Sequence, residues 1–403
     1  MHYVFSNKME GMKPSAIREI FKSLTDPTII SFAAGNPSPE SFPTKQLGEL
    51  SAKIFSDPAL SNTALQYSIT EGYPRLREQV AARLRDKFSI GREFDSTIIT
   101  SGGQQGLDLA CKVLCNENDV VICENPSFIG ALNAFRANGA KLIGLNSGDD
   151  GIDPEKLDKT LENEKRVKLI YLIPTFQNPS GITTSLEKRK AIYEIAKKHG
   201  VMIMEDNPYG ELRFAGEEIP TIKSFDDEGI VIYSGSFSKI LSAGMRVGFL
   251  CAPEQVISKI VVAKQVNDVH TNIFFQMLCS MFIDEYDLDG HIASIKRLYG
   301  HKCALMLSEM DKSFPETVTY TRPCGGIFIW CAIKTNPDGT PCADSTEFVK
   351  AAIKNKVAVV PGATFNADQA LPSNGFRLNY STPADEQIVK GIGLLAELLN
   401  SGR

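Results

Sequence analysis

From Ser96 to Leu250 the sequence alternates short apolar, β-branched runs with longer amphipathic stretches. That alternation restricts the chain to very few architectures. Strands are predicted at 97–100, 120–123, 141–145, 168–173, 201–205, 230–233 and 246–250, and helices at 103–114, 128–138, 185–199 and 253–267. Strands that are apolar throughout are buried on both faces, as in a sheet covered by helices. The fold class read here is therefore α/β, with a mostly parallel seven-stranded sheet. Ligands of such sheets bind beyond the carboxyl ends of the strands, so strand-end residues are the first candidates for chemistry.

Past Val269 the pattern changes. A long helix is predicted at 289–312, then strands at 317–321, 326–333, 358–360 and 376–379, and a closing helix at 385–399. This reads as a smaller α+β domain. Ahead of the sheet region lies a predicted helix at 15–24 and an arm, 35–43, whose prolines exclude a helix there. The expected division is an N-terminal arm and helix at 1–45, a large domain at 46–288 and a small C-terminal domain at 289–403. With 403 residues, 43% of them hydrophobic, the chain can fill two cores.

Several function classes are disfavoured. The formal charge is −5 and no dense Lys/Arg block occurs, which argues against nucleic acid as a partner. No run is apolar for long enough to span a bilayer, and the N-terminus lacks a signal-peptide pattern, so no membrane partner is expected. Five histidines, none paired at ligand spacing, argue against a metal. Nine scattered cysteines without a CxxC pair read as free thiols in a reducing cytoplasm.

The most telling motif is Ser234-Gly-Ser-Phe-Ser-Lys239, followed by Gly244, Arg246 and Gly248. Lys239 lies between two apolar runs, and burial lowers a lysine pKa and frees its amine. Ser236, Ser238 and Arg246 beside it suit a phosphate. A reactive amine next to a phosphate seat is what pyridoxal phosphate requires. Thr100-Ser-Gly-Gly-Gln-Gln-Gly106 joins a strand to a helix, where backbone N–H groups and the helix dipole favour an anion, although a plain tight turn is the commoner use. Asn178, before Pro179, is either a turn asparagine or an amide aimed into a cleft. Asp206 ends a very apolar strand and needs a partner, either a ligand cation or a helix N-terminus, and Tyr209 is close enough in sequence to reach the same ligand. Phe128 is a core residue or a ring-stacking one. Arg377, with apolar neighbours, grips a ligand carboxylate or forms an internal salt bridge.

Taken together, Leu65-Gln-Tyr67 with Thr70-Glu-Gly-Tyr73, Ser101-Gly-Gly-Gln-Gln105, Gln177-Asn-Pro-Ser-Gly181, Glu205-Asp206 with Tyr209, Ser236-Phe-Ser-Lys239 with Gly244, Arg246 and Gly248, and Phe376-Arg-Leu378 resemble the fold-type I, class I/II pyridoxal-phosphate aminotransferases. The resemblance spans nearly the whole chain. It is closest to the branch holding 2-aminoadipate and kynurenine/aminoadipate aminotransferases and the aminotransferase-like part of MocR-type regulators.

The resemblance implies roles position by position. Lys239 is the lysine joined to the cofactor and the proton shuttle. Asp206 partners the pyridine nitrogen, and Asn178 and Tyr209 bond the ring hydroxyl. Ser236, Ser238, Arg246 and the N–H groups of Gly103 and Gln104 hold the phosphate, with Tyr67 lent by a neighbouring subunit of a homodimer. Tyr67 and His270-Thr-Asn272 match segments that cross between subunits. Phe128 stacks on the ring. Arg377 binds the substrate α-carboxylate, with Asn178 and Gly35 nearby and Arg18 at the far end of an acidic or aromatic substrate. The implied reaction moves an amino group from an amino acid to a 2-oxo acid, 2-oxoglutarate first among them, by a ping-pong route. Aminoadipate-like, aromatic and branched-chain donors are the candidates.

The sequence departs from the branch in three places. Gly103 replaces a frequent serine, Phe128 a frequent tyrosine, and Ala34-Gly-Asn-Pro37 a paired-glycine arm. A β-elimination lyase would use the same core. A ligand-sensing regulator would carry a DNA-binding domain ahead of a pattern that here begins by Ser15. A cofactor-free scaffold would make every strand-end residue a coincidence.

Overall fold

The computed structural model describes residues 3–10, 26–336 and 339–401. The predicted helix at 15–24, with Arg18, lies outside the described residues.

The large sheet has strands β2 (Asp95–Thr100), β3 (Val120–Asn125), β4 (Lys141–Gly148), β5 (Gly151–Ile152), β6 (Val167–Leu172), β7 (Met202–Asp206), β8 (Val231–Ser236) and β9 (Gly248–Pro253). Their order is β2-β9-β8-β7-β6-β3-β4-β5. The seven predicted strands are joined by the two-residue β5, which folds back antiparallel on β4. β3, β4, β6, β7 and β8 pair in parallel, while β9 runs antiparallel to both neighbours.

Side chains alternate between the two sheet faces, and both faces are covered. Val121, Cys123, Leu169, Tyr171, Met204 and Ile232 pack on one side against helices Gly103–Leu114, Ile129–Ala137 and Glu254–Asn267. Val120, Ile122, Ile170, Leu172, Ile203 and Val231 pack on the other against Pro154–Asn163 and Leu186–His199. Each such fully buried aliphatic side chain stabilises the fold by about 1.5–3 kcal/mol.

Each of these strands departs from its predicted bounds by a few residues, and two of the departures bear on the site. β8 continues through Ser236, because Ser234 and Ser236 still find partners in Asp206 and Gly248. β9 starts at Gly248 rather than at 246, because Arg246 adopts a left-handed backbone (φ 54°) that a strand cannot hold. The antiparallel sense of β9 brings its first residue, Gly248, beside Thr100 and Ser236, the last residues of β2 and β8. Arg246 is thereby delivered to the carboxyl edge of the sheet.

The remaining layer is a four-stranded antiparallel sheet, ordered β10 (Val318–Tyr320), β11 (Phe328–Ile333), β14 (Gly375–Asn379), β13 (Val360–Pro361). The predicted strand at 358–360 is split. β12 (Val357–Ala358) pairs with the arm strand β1 (Ile30–Ser31), and β13 pairs with β14. Helices Leu288–Ser313 and Asp385–Ser401 back this layer, and their buried faces join one core with Phe328, Phe376 and Leu378. The arm past β1 lies against β14, where Asn379 N–H donates to Phe32 O at 2.8 Å. It holds one 3-10 turn, Pro39–Ser41, with Pro39 in a helix-starting position that needs no N–H donor. Helices Thr44–Ser56, Pro58–Leu65, Pro74–Phe88, Ile273–Glu285 and Thr346–Lys354 complete the chain.

Candidate active site

A cavity of about 460 Å³ opens at the carboxyl edge of the large sheet, against the arm and the small sheet. Its lining includes Gly35, Gly103, Gln104, Phe128, Asn178, Asp206, Tyr209, Ser236, Ser238, Lys239, Arg246 and Arg377. Among the described residues, every site residue named from the sequence is there except Tyr67, which is 80% exposed. The Tyr67 ring meets His270 edge-on, with centroids 5.8 Å apart.

Lys239 sits in the turn after β8, half-buried, and its Nζ donates to Gly35 O at 2.6 Å. Burial pushes its pKa down to about 8, and the nearby Arg377 and Arg246 charges push the same way. No carboxylate hydrogen-bonds this amine among the described residues, so its neutral, nucleophilic form reaches about a tenth at pH 7, far more than in an ordinary lysine.

One end of the cavity is built for an anion. Gly102 precedes helix Gly103–Leu114 with φ 77° and provides no side-chain cap, so the first helical N–H groups are unclaimed by one. A Cβ on Gly102 would strike the Arg246 guanidinium, so glycine is required for that close approach. Arg246 donates to Ala243 O at 3.3 Å and Ser101 O at 3.4 Å and has no ion-pair partner among the described residues. Ser236 Oγ donates to Ser238 Oγ at 2.8 Å and accepts Ser238 N–H at 3.1 Å.

The floor carries Asp206. Adjacent carboxylates on β7 divide between the two faces. Glu205 Oε1 and Oε2 accept Ile222 and Lys223 N–H at 2.9 and 2.8 Å on one side. Asp206, on the other, accepts the Tyr171 hydroxyl at 3.0 Å. Asp206 caps no helix. The 3-10 turn Gly210–Leu212 begins after Tyr209. Burial pushes the Asp206 carboxyl up to about 6, with the Tyr171 hydrogen bond opposing. Tyr209 is buried, its hydroxyl pKa raised by desolvation, and its ring meets Phe328 edge-on at 5.9 Å.

Arg377 reaches the cavity from β14. Nη1 donates to Asn178 Oδ1 at 2.9 Å and Nη2 to Ala33 O at 2.7 Å, while the guanidinium lies 4.1 Å from the Phe328 ring centroid. Among the described residues it has no carboxylate partner, and its Nε is buried without any partner. The internal salt bridge is therefore ruled out for the described residues. Burial lowers its pKa to about 10, so it remains a cation near neutral pH. Asn178 is held in a tight turn by Gln177, whose Oε1 accepts Ser180 N–H and Oγ at 2.8 and 2.6 Å.

Asn36, Leu107, Ile173, Pro208, Ala243 and Phe328 also line the cavity, and Tyr171 stands behind Asp206. None was singled out as a site residue from the sequence. Pro208 and Asn36 had a signal, lying inside the Asp206-to-Tyr209 motif and the Ala34-to-Pro37 arm, while the others join the site through tertiary packing.

These features fit pyridoxal phosphate. An anion cradle, a neutralisable lysine and a buried carboxylate lacking a cation match its phosphate, aldehyde and pyridine nitrogen. The fold and the cavity together define a fold-type I pyridoxal-phosphate enzyme. Residues 27–393 match the family Aminotransferase class I and II. Aromatic-amino-acid aminotransferase 1 of Thermococcus litoralis is 38% identical over 98% of this chain and 94% of its own. The structure of kynurenine aminotransferase from Pyrococcus horikoshii, in complex with PMP, superposes with a TM-score of 0.92 at 37% identity, covering 98% of this chain and 97% of that one. Alpha-aminoadipate aminotransferase from Thermus thermophilus, complexed with N-(5'-phosphopyridoxyl)-L-leucine, gives 0.88 at 36% identity, covering 98% and 97%. The chain belongs to the class I and II aminotransferases and is a pyridoxal-phosphate-dependent enzyme acting on amino acids and 2-oxo acids.

Proposed function

We propose that this aminotransferase takes its amino group from aromatic, 2-aminoadipate-like or branched-chain amino acids and gives it to 2-oxoglutarate by a ping-pong route. The observation that carries the reading is Arg377, a buried guanidinium without a carboxylate partner among the described residues, in the same cavity as Lys239. A planar fork so placed suits an α-carboxylate. Apolar Leu107, Ile173, Pro208 and Phe328 in the same lining favour an apolar or long substrate side chain.

Bound pyridoxal phosphate supplies the electron sink for the bonds at the substrate α-carbon. In this reading Ser236, Ser238, Arg246 and the N–H groups of Gly103 and Gln104 hold its phosphate, and Tyr67 of a second copy completes the seat. Phe128 covers one face of the ring. Asp206 holds a proton at the ring nitrogen, and Asn178 and Tyr209 orient the ring hydroxyl. Arg377, with Asn178 and Gly35 beside it, binds and orients the substrate carboxylate. Lys239 binds the cofactor between turnovers. During turnover its Nζ takes the proton from the substrate Cα, a task suited to an amine of lowered pKa.

We further propose a cytoplasmic homodimer with sites at the interface, divided into an arm at 1–45, a large domain at 46–288 and a small domain at 289–403. Exposed Phe55, Leu65, Tyr67, Val262 and Val266 support the association. Nine free cysteines support a reducing compartment. Among the described residues no helix is long and apolar enough to cross a membrane.

Two measurements test the reading. Borohydride reduction and peptide mapping should place the pyridoxyl label on Lys239, and label on another lysine refutes its role. Initial rates with a panel of amino donors against 2-oxoglutarate and pyruvate should give parallel double-reciprocal lines and the highest kcat/KM with aromatic or 2-aminoadipate donors and 2-oxoglutarate. Preference for small neutral donors with pyruvate would overturn the substrate assignment.

A further inference from the structure

Behind the anion cradle lies a polar cluster that does not line the cavity. Lys264, on helix Glu254–Asn267, has no exposed side-chain surface. Its Nζ donates to Asp268 Oδ1 and Oδ2 at 2.7 and 2.8 Å, to Thr271 Oγ1 at 3.0 Å and to Gln105 Oε1 at 3.1 Å. Asp268 Oδ2 also accepts Ser101 Oγ at 2.8 Å and Gln105 Nε2 at 2.7 Å. Ser101 N–H donates to Gln105 Oε1 at 2.7 Å, and its hydroxyl lies 3.1 Å from Thr271 Oγ1. Both donors of Ser101 therefore end in the cluster, while its carbonyl faces Arg246 Nη2. The next residue, Gly102, has the left-handed φ that starts helix Gly103–Leu114.

Lys264 and Asp268 cancel each other's charge, so the pair adds little to the potential in the cavity. A buried ion pair is also weak as a source of stability, since apolar replacements are often neutral or better. What the cluster does supply is geometry. It fixes the residue that joins the Arg246 side chain to the start of the helix.

We propose that Lys264 and Asp268 are positioning residues for the cofactor phosphate. They lock the Ser101–Gly102 turn so that Arg246 and the first N–H groups of the helix converge on one anion, without touching it themselves. The inference rests on the phosphate-seat reading given above.

The test compares binding of pyridoxal phosphate with binding of pyridoxal, which lacks the phosphate, to the full-length chain by absorbance titration. Lys264→Met keeps the aliphatic stem and removes the ammonium. Ser101→Ala removes two hydroxyl contacts and leaves the ion pair intact. The wild type should bind pyridoxal phosphate far more tightly than pyridoxal. Lys264→Met should weaken pyridoxal phosphate by roughly tenfold or more, the scale of outer-shell effects on a bound ligand, and leave pyridoxal within about twofold. Ser101→Ala should show the same selectivity at smaller size, and it decides the question if Lys264→Met does not fold. Unchanged pyridoxal phosphate affinity in both variants, or equal weakening of both ligands, would overturn the proposal. Equal affinity of the wild type for the two ligands would instead remove the phosphate seat, and the positioning role with it.

Discussion

The Tyr171 hydroxyl donates to Asp206 Oδ2 at 3.0 Å, linking β6 and β7 beneath the cavity floor. Tyr171 is fully buried and Asp206 nearly so. Burial drives the Asp206 carboxyl up to about 6, and this bond is the first influence opposing that rise. In Tyr171→Phe the pKa should therefore rise further. Turnover in the proposed mechanism needs the ionised carboxylate. The acid limb of the kcat/KM profile should then move up by about one pH unit, the scale of a hydrogen bond to a charged group. An acid limb that stays in place would remove Tyr171 from the site's electrostatics.

Asp206→Asn tests the same carboxylate from two sides. A folded pKa of about 6 against an ordinary value of 3.8 means the folded state favours the protonated form. Stability from this group is therefore full below about pH 4 and is lost as pH rises through about 6. Above that window the cost in the cofactor-free protein is about 3 kcal/mol at most. Urea unfolding of cofactor-free Asp206→Asn should show a gain over wild type at pH 8 that shrinks towards pH 4. Turnover by the same variant should fall by orders of magnitude, since an electrostatic role of this kind is worth about 3 kcal/mol or more. Turnover close to wild type would refute the role given to Asp206.

Arg377→Lys keeps the charge and loses the fork. The native guanidinium already uses two N–H donors on Asn178 and Ala33 and stacks over Phe328. A lysine cannot reproduce that arrangement and still present two parallel donors to a carboxylate. We expect kcat/KM for amino acids to fall by roughly 100-fold, about 3 kcal/mol for a charged, desolvated contact, with KM carrying much of the loss. Equal kcat/KM in the two proteins would place the substrate carboxylate elsewhere.

The sequence made the sheet legible because each central strand is apolar on both faces, as Val120–Cys123 and Lys168–Ile173 illustrate. Helix Gly103–Leu114 was read to its observed ends because glycines open it and its apolar positions recur on one face. Helix Ile273–Glu285 was not read, since it is apolar nearly all round and lacks a clear period. Thr44–Ser56 was missed for the opposite reason, burying only Leu50 and Ile54. The strand-end residues Asp206, Ser236, Lys239 and Asn178 were legible as candidates, and the structure places all four along one cavity. Tyr171 was not, because its relation to Asp206 depends on strand pairing across 35 residues. The Lys264 cluster is likewise a product of tertiary folding, joining Ser101 to Asp268 across 167 residues.

Gly102→Ala provides the sharpest test of the cradle geometry. The native φ of 77° with ψ of 168° is a conformation that side chains rarely adopt. An added Cβ would also meet the Arg246 guanidinium, which is the flexible end of a long side chain and can swing away. The backbone strain should cost about 1–3 kcal/mol, read as a lower Tm of the cofactor-free protein. Arg246 displaced from the turn should also weaken cofactor retention beyond what the lost stability explains. Dialysis of the holoenzyme against phosphate buffer, followed by absorbance, should show faster cofactor loss from Gly102→Ala than from wild type. A variant with lowered Tm but unchanged retention would mean that Gly102 serves the fold alone and that Arg246 does not depend on it.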